Sequence, residues 1–204
     1  MRDPEIRTIT ELPPSFQEAL FLRVTEGRRL LWLNLAAIIL MVIAGFIFFG
    51  WLYMYYRVLG APLVIDSLPG ALDRMAGIVL LILVVPLHEY LHGLGMRYYG
   101  HDVRYGVKWL RGVVYATTDK GLFWRDQFIV VALLPLIAIS LAALGLSLIL
   151  PSGVAAWLLV IAALNAAGAI GDLWMVHVAS RFSPDALFRD EEDGMRVFVP
   201  VASG

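Results

Sequence analysis

The chain of 204 residues contains no cysteine. This absence excludes disulfide bonds, catalytic thiols and thiolate metal ligands from its stability and its chemistry. It carries no information about the redox compartment in which the protein works.

Charged residues are also scarce, at 16% of the chain, whereas 60% of the residues are hydrophobic and the mean hydropathy is +0.76. A soluble domain carries about a quarter charged residues. The apolar residues are clumped into long runs, which is typical of a protein embedded in a lipid bilayer. The net charge of -1 provides no basic surface for phosphates, so we expect no nucleic-acid partner.

Four apolar runs are long enough to cross a bilayer, which takes about 20 residues. They comprise residues 30–56, 71–99, 127–150 and 154–179. Only Pro151, Ser152 and Gly153 separate the last two runs, which predicts a tight helical hairpin. We expect no cleavable signal peptide, because the first run is too long for a signal sequence.

The basic residues predict an orientation. Fourteen of the sixteen Lys and Arg residues lie before the first run, from Arg97 at the end of the second run to the start of the third, or after the fourth. With four spans these three segments share one side of the membrane, and the positive-inside rule assigns that side to the cytoplasm. We therefore expect a multi-pass protein of the cell membrane with both termini in the cytoplasm.

These features predict an all-α polytopic membrane protein with four transmembrane helices. Its membrane domain comprises residues 30–180, between a cytoplasmic N-terminal segment of residues 1–29 and a cytoplasmic tail of residues 181–204. Ser15-Phe16-Gln17-Glu18 reads as a capping box, so we expect an amphipathic helix in the N-terminal segment that lies on the membrane surface; a short helix packed on the spans is the alternative.

Two short β-hairpins are expected outside the membrane. Apolar and polar residues alternate on both sides of Arg111-Gly112, which predicts a small cytoplasmic hairpin between the second and third helices. Similar runs flank an acidic turn that ends in Asp193-Gly194, which predicts a short C-terminal hairpin. We interpret the acidic residues 190–193 as a solvated turn without chemistry.

The second apolar run contains the sequence His88-Glu89-Tyr90-Leu91-His92. Ionisable side chains are costly in a bilayer, so they indicate function by default. Positions i and i+4 share a face of a helix, which lets both imidazoles bind one metal ion, and Zn²⁺ suits them. Zinc lowers the pKa of a bound water to about 7, and Glu89 is placed to accept its proton. The alternative is a metal-free cluster in which the histidines bond to neighbouring helices.

A third ligand is expected at the same depth, and the fourth run offers one carboxylate, Asp172. Counted back from Arg97 and Arg181, the basic residues at the cytoplasmic ends of the two runs, His88 and Asp172 both lie nine residues inside. With His92 they fall roughly 8 to 14 Å inside the cytoplasmic edge. A buried, hydrogen-bonded acid without a metal is the alternative for Asp172.

Asn165 and Gly168 lie seven and four residues before Asp172, which places them on the same face of a continuous helix. A face of small and polar residues allows another helix to approach closely. We predict Asn165 as a substrate-binding residue, and a role in holding helices together is the alternative.

The two other histidines are expected outside the site. His177 lies five residues after Asp172, about 140° around the helix. His101 follows Gly100 at the membrane edge and is expected on the surface.

The motif HEYLHG in one span and N-x-x-G-x-x-G-D in the last resemble the bacterial "putative zincin peptidase" family, which was long known only as a domain of unknown function. That family is similar in turn to the site-2 proteases, which are intramembrane zinc enzymes. The resemblance implies His88 and His92 as zinc ligands, Glu89 as the catalytic base and Asp172 as the third ligand. Site-2 proteases carry N-x-x-P-x-x-P-L-D-G at the aspartate, whereas this chain has Gly168 and Gly171 in place of the prolines.

We therefore predict a zinc-dependent endopeptidase that cleaves a membrane-protein or peptide substrate near the cytoplasmic face. A helical substrate has to be unwound, and residues 103–117 could hold it as an added strand. The main alternative is a non-catalytic membrane metal-binding protein that acts as a sensor or scaffold. The sequence makes no prediction of the oligomeric state.

Overall fold

The computed structural model describes residues 8–23, 27–60, 70–108, 113–118, 120–191 and 194–201. The helices in these ranges are α1 (Gly27–Val58), α2 (Gly70–Tyr98), α3 (Arg125–Leu146), α4 (Ser152–Gly168) and α5 (Ile170–Ala179). The strands are β1 (Phe16–Arg23), β2 (Arg104–Lys108), β3 (Val113–Thr117), β4 (Phe123–Trp124), β5 (Leu187–Glu191) and β6 (Gly194–Pro200).

Three helices, α1, α2 and α3, are long and apolar enough to cross a membrane by length and composition. Helices α4 and α5 together form a possible fourth span. On α1 large apolar side chains remain exposed, among them Trp32 at 66% and Phe46 at 78%. A soluble protein rarely leaves so much contiguous apolar surface in water, so these faces suit contact with lipid.

The fourth apolar run is bent rather than straight. Helix α4 ends at Gly168, α5 begins at Ile170, and the two axes differ by 45°. The expectation that Asn165 and Gly168 share a continuous helical face with Asp172 is therefore wrong. A Cβ atom built on Gly168 would meet no atom within 4 Å, so this glycine does not mark a close helix contact either.

Both predicted hairpins are confirmed in their strands. Strands β2 and β3 form an antiparallel two-stranded sheet, and β5 pairs antiparallel with β6. The predicted turn residues Arg111, Gly112 and Asp193 lie outside the described residues. The two hairpins belong to different sheets, because β5 and β6 form the centre of a four-stranded sheet in the order β1-β6-β5-β4. The fold is therefore mostly helical with small antiparallel sheets, and the all-α prediction is too narrow.

The amphipathic helix predicted in the N-terminal segment is wrong for residues 16–23, which form strand β1. This strand pairs antiparallel with β6 from Phe16↔Pro200 to Arg23↔Gly194 and carries an irregularity between Glu18 and Leu20. Pairing with β6 determines the structure of this segment in place of the local helix signal. Strand β5 covers one edge of β6, and β1, which is distant in sequence, covers the other.

The chain divides into two compact units, each with its own core. The first unit comprises Met1–Leu31, Glu89–Leu134 and Gly171–Gly204. Its core joins side chains of both termini with those of α2 and α3, notably Met96, Phe123, Phe128, Phe188 and Val197.

The second unit comprises Trp32–His88 and Pro135–Ile170. Phe48 and Leu52 of α1 pack there against Ala155, Leu159 and Ala162 of α4. The alanines allow the two helices to approach closely, which is how helices associate where lipid removes the hydrophobic driving force.

Candidate metal centre

Helix α2 presents the candidate chemistry of the sequence motif. It runs without interruption through Pro86, so His88, Glu89 and His92 lie on one regular helix. The spacing of four residues places the two imidazoles on the same face, one turn apart. This part of the site follows from local structure alone.

Asp172 lies beside His92. The bend between α4 and α5 places Asp172 in the first turn of α5, and its Oδ1 lies 3.5 Å from His92 Nε2. The His92 side chain is 12% exposed and the Asp172 side chain is 14% exposed. A carboxylate held this close to a largely buried imidazole is costly to desolvate unless a proton or a cation compensates the charge.

The three predicted ligands come together. His88, His92 and Asp172 each offer one ligand atom, and these atoms lie within 4.8 Å of one another. Two imidazoles and one carboxylate are a donor set that fits a catalytic zinc site, in which three protein ligands leave the fourth position to water or substrate.

Hydrogen bonds on the far side of each imidazole support this assignment. His88 Nδ1 donates to Asn165 Oδ1 at 2.9 Å, and His92 Nδ1 donates to the backbone oxygen of Val131 at 3.0 Å. A proton on Nδ1 places the ring lone pair on Nε2, which is the atom that then binds metal. Zinc-binding histidines almost always have such a partner.

Asn165 therefore has an observed contact with a ligand residue. It is only 4% exposed, and its Nδ2 has no hydrogen-bond partner among the described residues. The amide oxygen orients His88, a role that sequence reasoning did not assign. The predicted contact of Asn165 with substrate stays a prediction.

Glu89 points towards the β2–β3 hairpin. Its Oε2 accepts a hydrogen bond from the backbone N–H of Ala116 in β3 at 2.9 Å. In an antiparallel ladder the N–H and C=O of one residue point to the same side. The Ala116 peptide groups therefore point away from β2, and this edge of β3 faces Glu89.

The hairpin also packs on α2 through Tyr105. The ring of Tyr105 from β2 stacks on Tyr90 at 6.3 Å between centroids, and Arg97 lies 5.5 Å from its centre. A Cβ atom on Gly93 would lie 2.7 Å from Tyr105 Cζ, so a larger residue at this position would displace the ring. The glycine that ends the HEYLHG motif therefore suits the packing of Tyr105 on α2.

Asp190 is a residue of the site that the sequence analysis missed. Its carboxyl interacts electrostatically with His92, Glu89 and Asp172. Successive strand residues alternate in direction, so Asp190 shares a face of β5 with the fully buried Phe188. Its interpretation as part of a solvated turn is wrong, because residue 190 belongs to β5.

The two other histidines lie outside the group of three ligands. His177 contacts Arg181, with 2.8 Å between His177 Nε2 and Arg181 Nη2. His101 is 5% exposed and packs against the ring of Phe123 at 4.3 Å, so its predicted surface position is wrong. Burial lowers the pKa of His101 below its ordinary value.

Comparison with known families gives one match. A protein-family model described as "Putative zincin peptidase" covers residues 81–187. The chain belongs to this family. No curated protein and no solved structure matches the chain. Residues 81–187 include both histidines of α2, Glu89 and Asp172, so zincin peptidase membership supports a metallopeptidase-like function and zinc as the metal.

A prediction on pH dependence follows from Asp190. Burial, the largest cause, raises its pKa from 3.8 to about 7 in the metal-free protein. A raised acid pKa means that the folded state binds the proton more tightly, so stability falls as the pH rises through the window between these two values. Asp190→Asn removes the titrating carboxyl and therefore abolishes this loss. Thermal unfolding of chelator-treated protein should show Asp190→Asn gaining stability over wild type from pH 5 to pH 8, on the order of a few kcal/mol. A difference that does not change with pH would contradict this expectation.

Proposed function

We propose that the protein is a zinc-dependent endopeptidase that hydrolyses peptide bonds at or within the membrane, near its cytoplasmic face. One observation carries the proposal: Glu89, a potential base, follows directly after one of the three clustered ligand residues, His88, His92 and Asp172. Membership of the zincin peptidase family supports the same reaction class.

The residues of the candidate site would have separate roles in metal binding, ligand orientation and proton transfer. His88, His92 and Asp172 would hold the metal, while Asn165 and the Val131 carbonyl fix the two imidazoles. Zinc bound there supplies Lewis acidity and lowers the pKa of a water to about 7. Glu89 takes the proton of the attacking water and returns it to the leaving amine, which makes it the general base and then the general acid.

The hairpin is the proposed place for an extended substrate. Peptide hydrolysis needs an unwound segment, and an added strand gains affinity from main-chain hydrogen bonds. Ala116 of β3 donates its N–H to Glu89, so an extended substrate held beside this hairpin, with the Ala116 N–H kept on Glu89, would pass the base. Residues 103–117 therefore remain our proposed docking segment.

The first test combines metal analysis and cleavage on one purified sample in detergent. About one zinc per chain is expected, together with slow cleavage of fluorescently labelled casein as an unfolded probe. A chelator should stop the cleavage, and added Zn²⁺ should restore it. Metal-independent cleavage, or full activity in a sample without zinc, would refute the proposal.

A non-catalytic role as a metal sensor or scaffold is the second candidate. One contact favours it: the carboxylate of Glu89 is engaged by a backbone N–H, as a purely structural residue would be. A sensor would bind zinc and change conformation without any dependence on a proton acceptor at position 89.

The orientation also stays a proposal, with four spans and both termini in the cytoplasm. A reporter that is active only in the cytoplasm should work when fused after Gly204, because fourteen of the sixteen basic residues fall on that side. The matched control is a truncated fusion after Leu150, between the end of α3 and the start of α4, which should work only with a reporter active outside. Activity of the external reporter at Gly204 would contradict the four-span arrangement.

A further inference from the structure

Tyr105 joins the β2–β3 hairpin to α2 next to the candidate base. Its ring stacks on Tyr90 at 6.3 Å between centroids, and Arg97 Cζ lies 5.5 Å from the ring centre. Tyr90 and Arg97 are seven residues apart on α2, which places them on one face of the helix. Gly93 lies between them, where a built Cβ would come 2.7 Å from Tyr105 Cζ. The ring therefore covers about two turns of α2, beginning at the residue after Glu89.

Across the hairpin, Tyr105 is paired with the residue that donates to Glu89. In the register of the two strands Tyr105 lies opposite Ala116, whose N–H donates to Glu89 Oε2 at 2.9 Å. Because this N–H points away from β2, the two residues form a non-hydrogen-bonded pair, in which the Cα atoms are about 4.5 Å apart. Side chains of directly opposite residues also share a face of the sheet. A displacement of Tyr105 therefore displaces the donor to Glu89.

The hairpin needs contacts outside its own two strands. Strands β2 and β3 form a sheet of only two strands, and an isolated hairpin is marginally stable at best. Tyr105 is 42% exposed, so its ring lies at the surface of the protein. Removal of this ring would weaken the attachment of the hairpin to α2 without leaving a buried cavity.

We propose that Tyr105 is a positioning residue for Glu89: by stacking on Tyr90 and lying over Gly93, its ring holds the hairpin on α2, so that the Ala116 N–H remains on the Glu89 carboxylate. The inference rests on the proposed function for its meaning in catalysis. The attachment of the hairpin to α2 can be measured without any cleavage.

Hydrogen–deuterium exchange of β3 tests this attachment in the purified full chain, read by mass spectrometry. Tyr105→Ala should increase exchange of the β3 amides by about 10-fold, because an aromatic pair contributes stability of that order. Tyr105→Phe keeps the ring and should exchange as wild type does. The amides of β6, in the middle of the four-stranded sheet, should keep their protection in both variants. Equal loss of protection in β3 and β6 would mean general unfolding and would overturn the inference.

Gly93→Ala tests the same contact from the side of α2. Its methyl group displaces the Tyr105 ring, so exchange of β3 should increase as it does in Tyr105→Ala. In the double variant the methyl group meets no ring, so the two effects should not add. Additive effects would mean that the two positions act independently, which contradicts the proposed contact.

Tyr98→Ala is the matched control. It makes the same change at a tyrosine of α2 that is 77% exposed and packs against Tyr99. Exchange of β3 should remain at the wild-type rate in this variant. Unchanged exchange in Tyr105→Ala, or the same increase in Tyr98→Ala, would overturn the inference.

Cleavage of labelled casein adds the functional readout. Tyr105→Ala and Gly93→Ala should lower kcat by about 10-fold at unchanged zinc content, because Glu89 loses its fixed orientation. Tyr105→Phe and Tyr98→Ala should retain wild-type turnover. A rise in KM with undiminished kcat would make Tyr105 a substrate contact and would refute its positioning role. If the wild type fails to cleave, the proposed function fails, while the exchange experiment still decides whether Tyr105 holds the hairpin on α2.

Discussion

Replacement of Glu89 by glutamine is expected to abolish peptide cleavage and to leave the zinc content unchanged. Glu89 is not among the three clustered ligands. Glutamine is nearly isosteric, and its side-chain oxygen can still accept the Ala116 N–H that the carboxylate accepts now. It cannot take a proton from the attacking water, however. Positioned general-base catalysis is worth roughly 10² to 10⁴ in rate, so the turnover of Glu89→Gln should be lower than that of wild type by that factor.

Zinc content and casein cleavage should be measured on the same samples of wild type and Glu89→Gln. Glu191→Gln makes the same chemical change at a residue bonded to Arg196 and should retain activity. Loss of cleavage in both variants would point to general destabilisation. Undiminished cleavage by Glu89→Gln at matched zinc content would rule out Glu89 as the base and favour the sensor or scaffold.

Replacement of both His88 and His92 by alanine is expected to remove zinc almost completely. The two imidazoles supply two of the three protein ligands, and one carboxylate cannot hold Zn²⁺ against a competing chelator. Asp172→Ala should weaken zinc binding less than His88→Ala, because water can occupy the place of a carboxylate. Asn165→Ala should weaken it by about 10- to 100-fold, as expected for loss of the group that orients a ligand imidazole.

Metal analysis after dialysis against a chelator measures these differences. His177→Ala serves as the control, because His177 contacts Arg181 and lies outside the group of three ligands. Full zinc occupancy in the double alanine variant would place the metal elsewhere in the chain.

The parts of the site that local geometry determines could be predicted from the sequence. His88 and His92 share a helical face because four residues make about one turn. Asp172 was predicted from its position along the chain: like His88 it lies nine residues before a basic residue, and the prediction assumed two spans that run in the same direction. Neither inference needed a tertiary contact.

The partners of the two imidazoles could not be predicted. Val131 contributes only its backbone oxygen, which carries no signal in the sequence. Asn165 was singled out as polar in an apolar run, but its bond to His88 depends on how α2 and α4 pack. The 45° bend lies between Gly168 and Gly171, and neither glycine specifies the direction of the bend.

Strand β1 could not be predicted from its local sequence, whereas the position of Asp190 could. Phe16 to Arg23 pairs with a strand almost at the other end of the chain, and a window of local residues cannot contain that information. The position of Asp190, in contrast, could have been inferred. Strand alternation places it on the same face as Phe188, and an acid beside a large apolar side chain on a strand favours a partly buried position over a solvated turn.

X-ray absorption spectroscopy at the zinc edge of the purified wild-type protein tests the central claim most directly, because it reads the ligands of the metal itself. The account predicts four-coordinate zinc with two imidazole nitrogens at about 2.0 to 2.1 Å and oxygen donors in the remaining positions. Asp172→Ala should keep both imidazoles in that shell. A zinc shell with three or four imidazoles would require His101 or His177 and would contradict the centre formed by His88, His92 and Asp172.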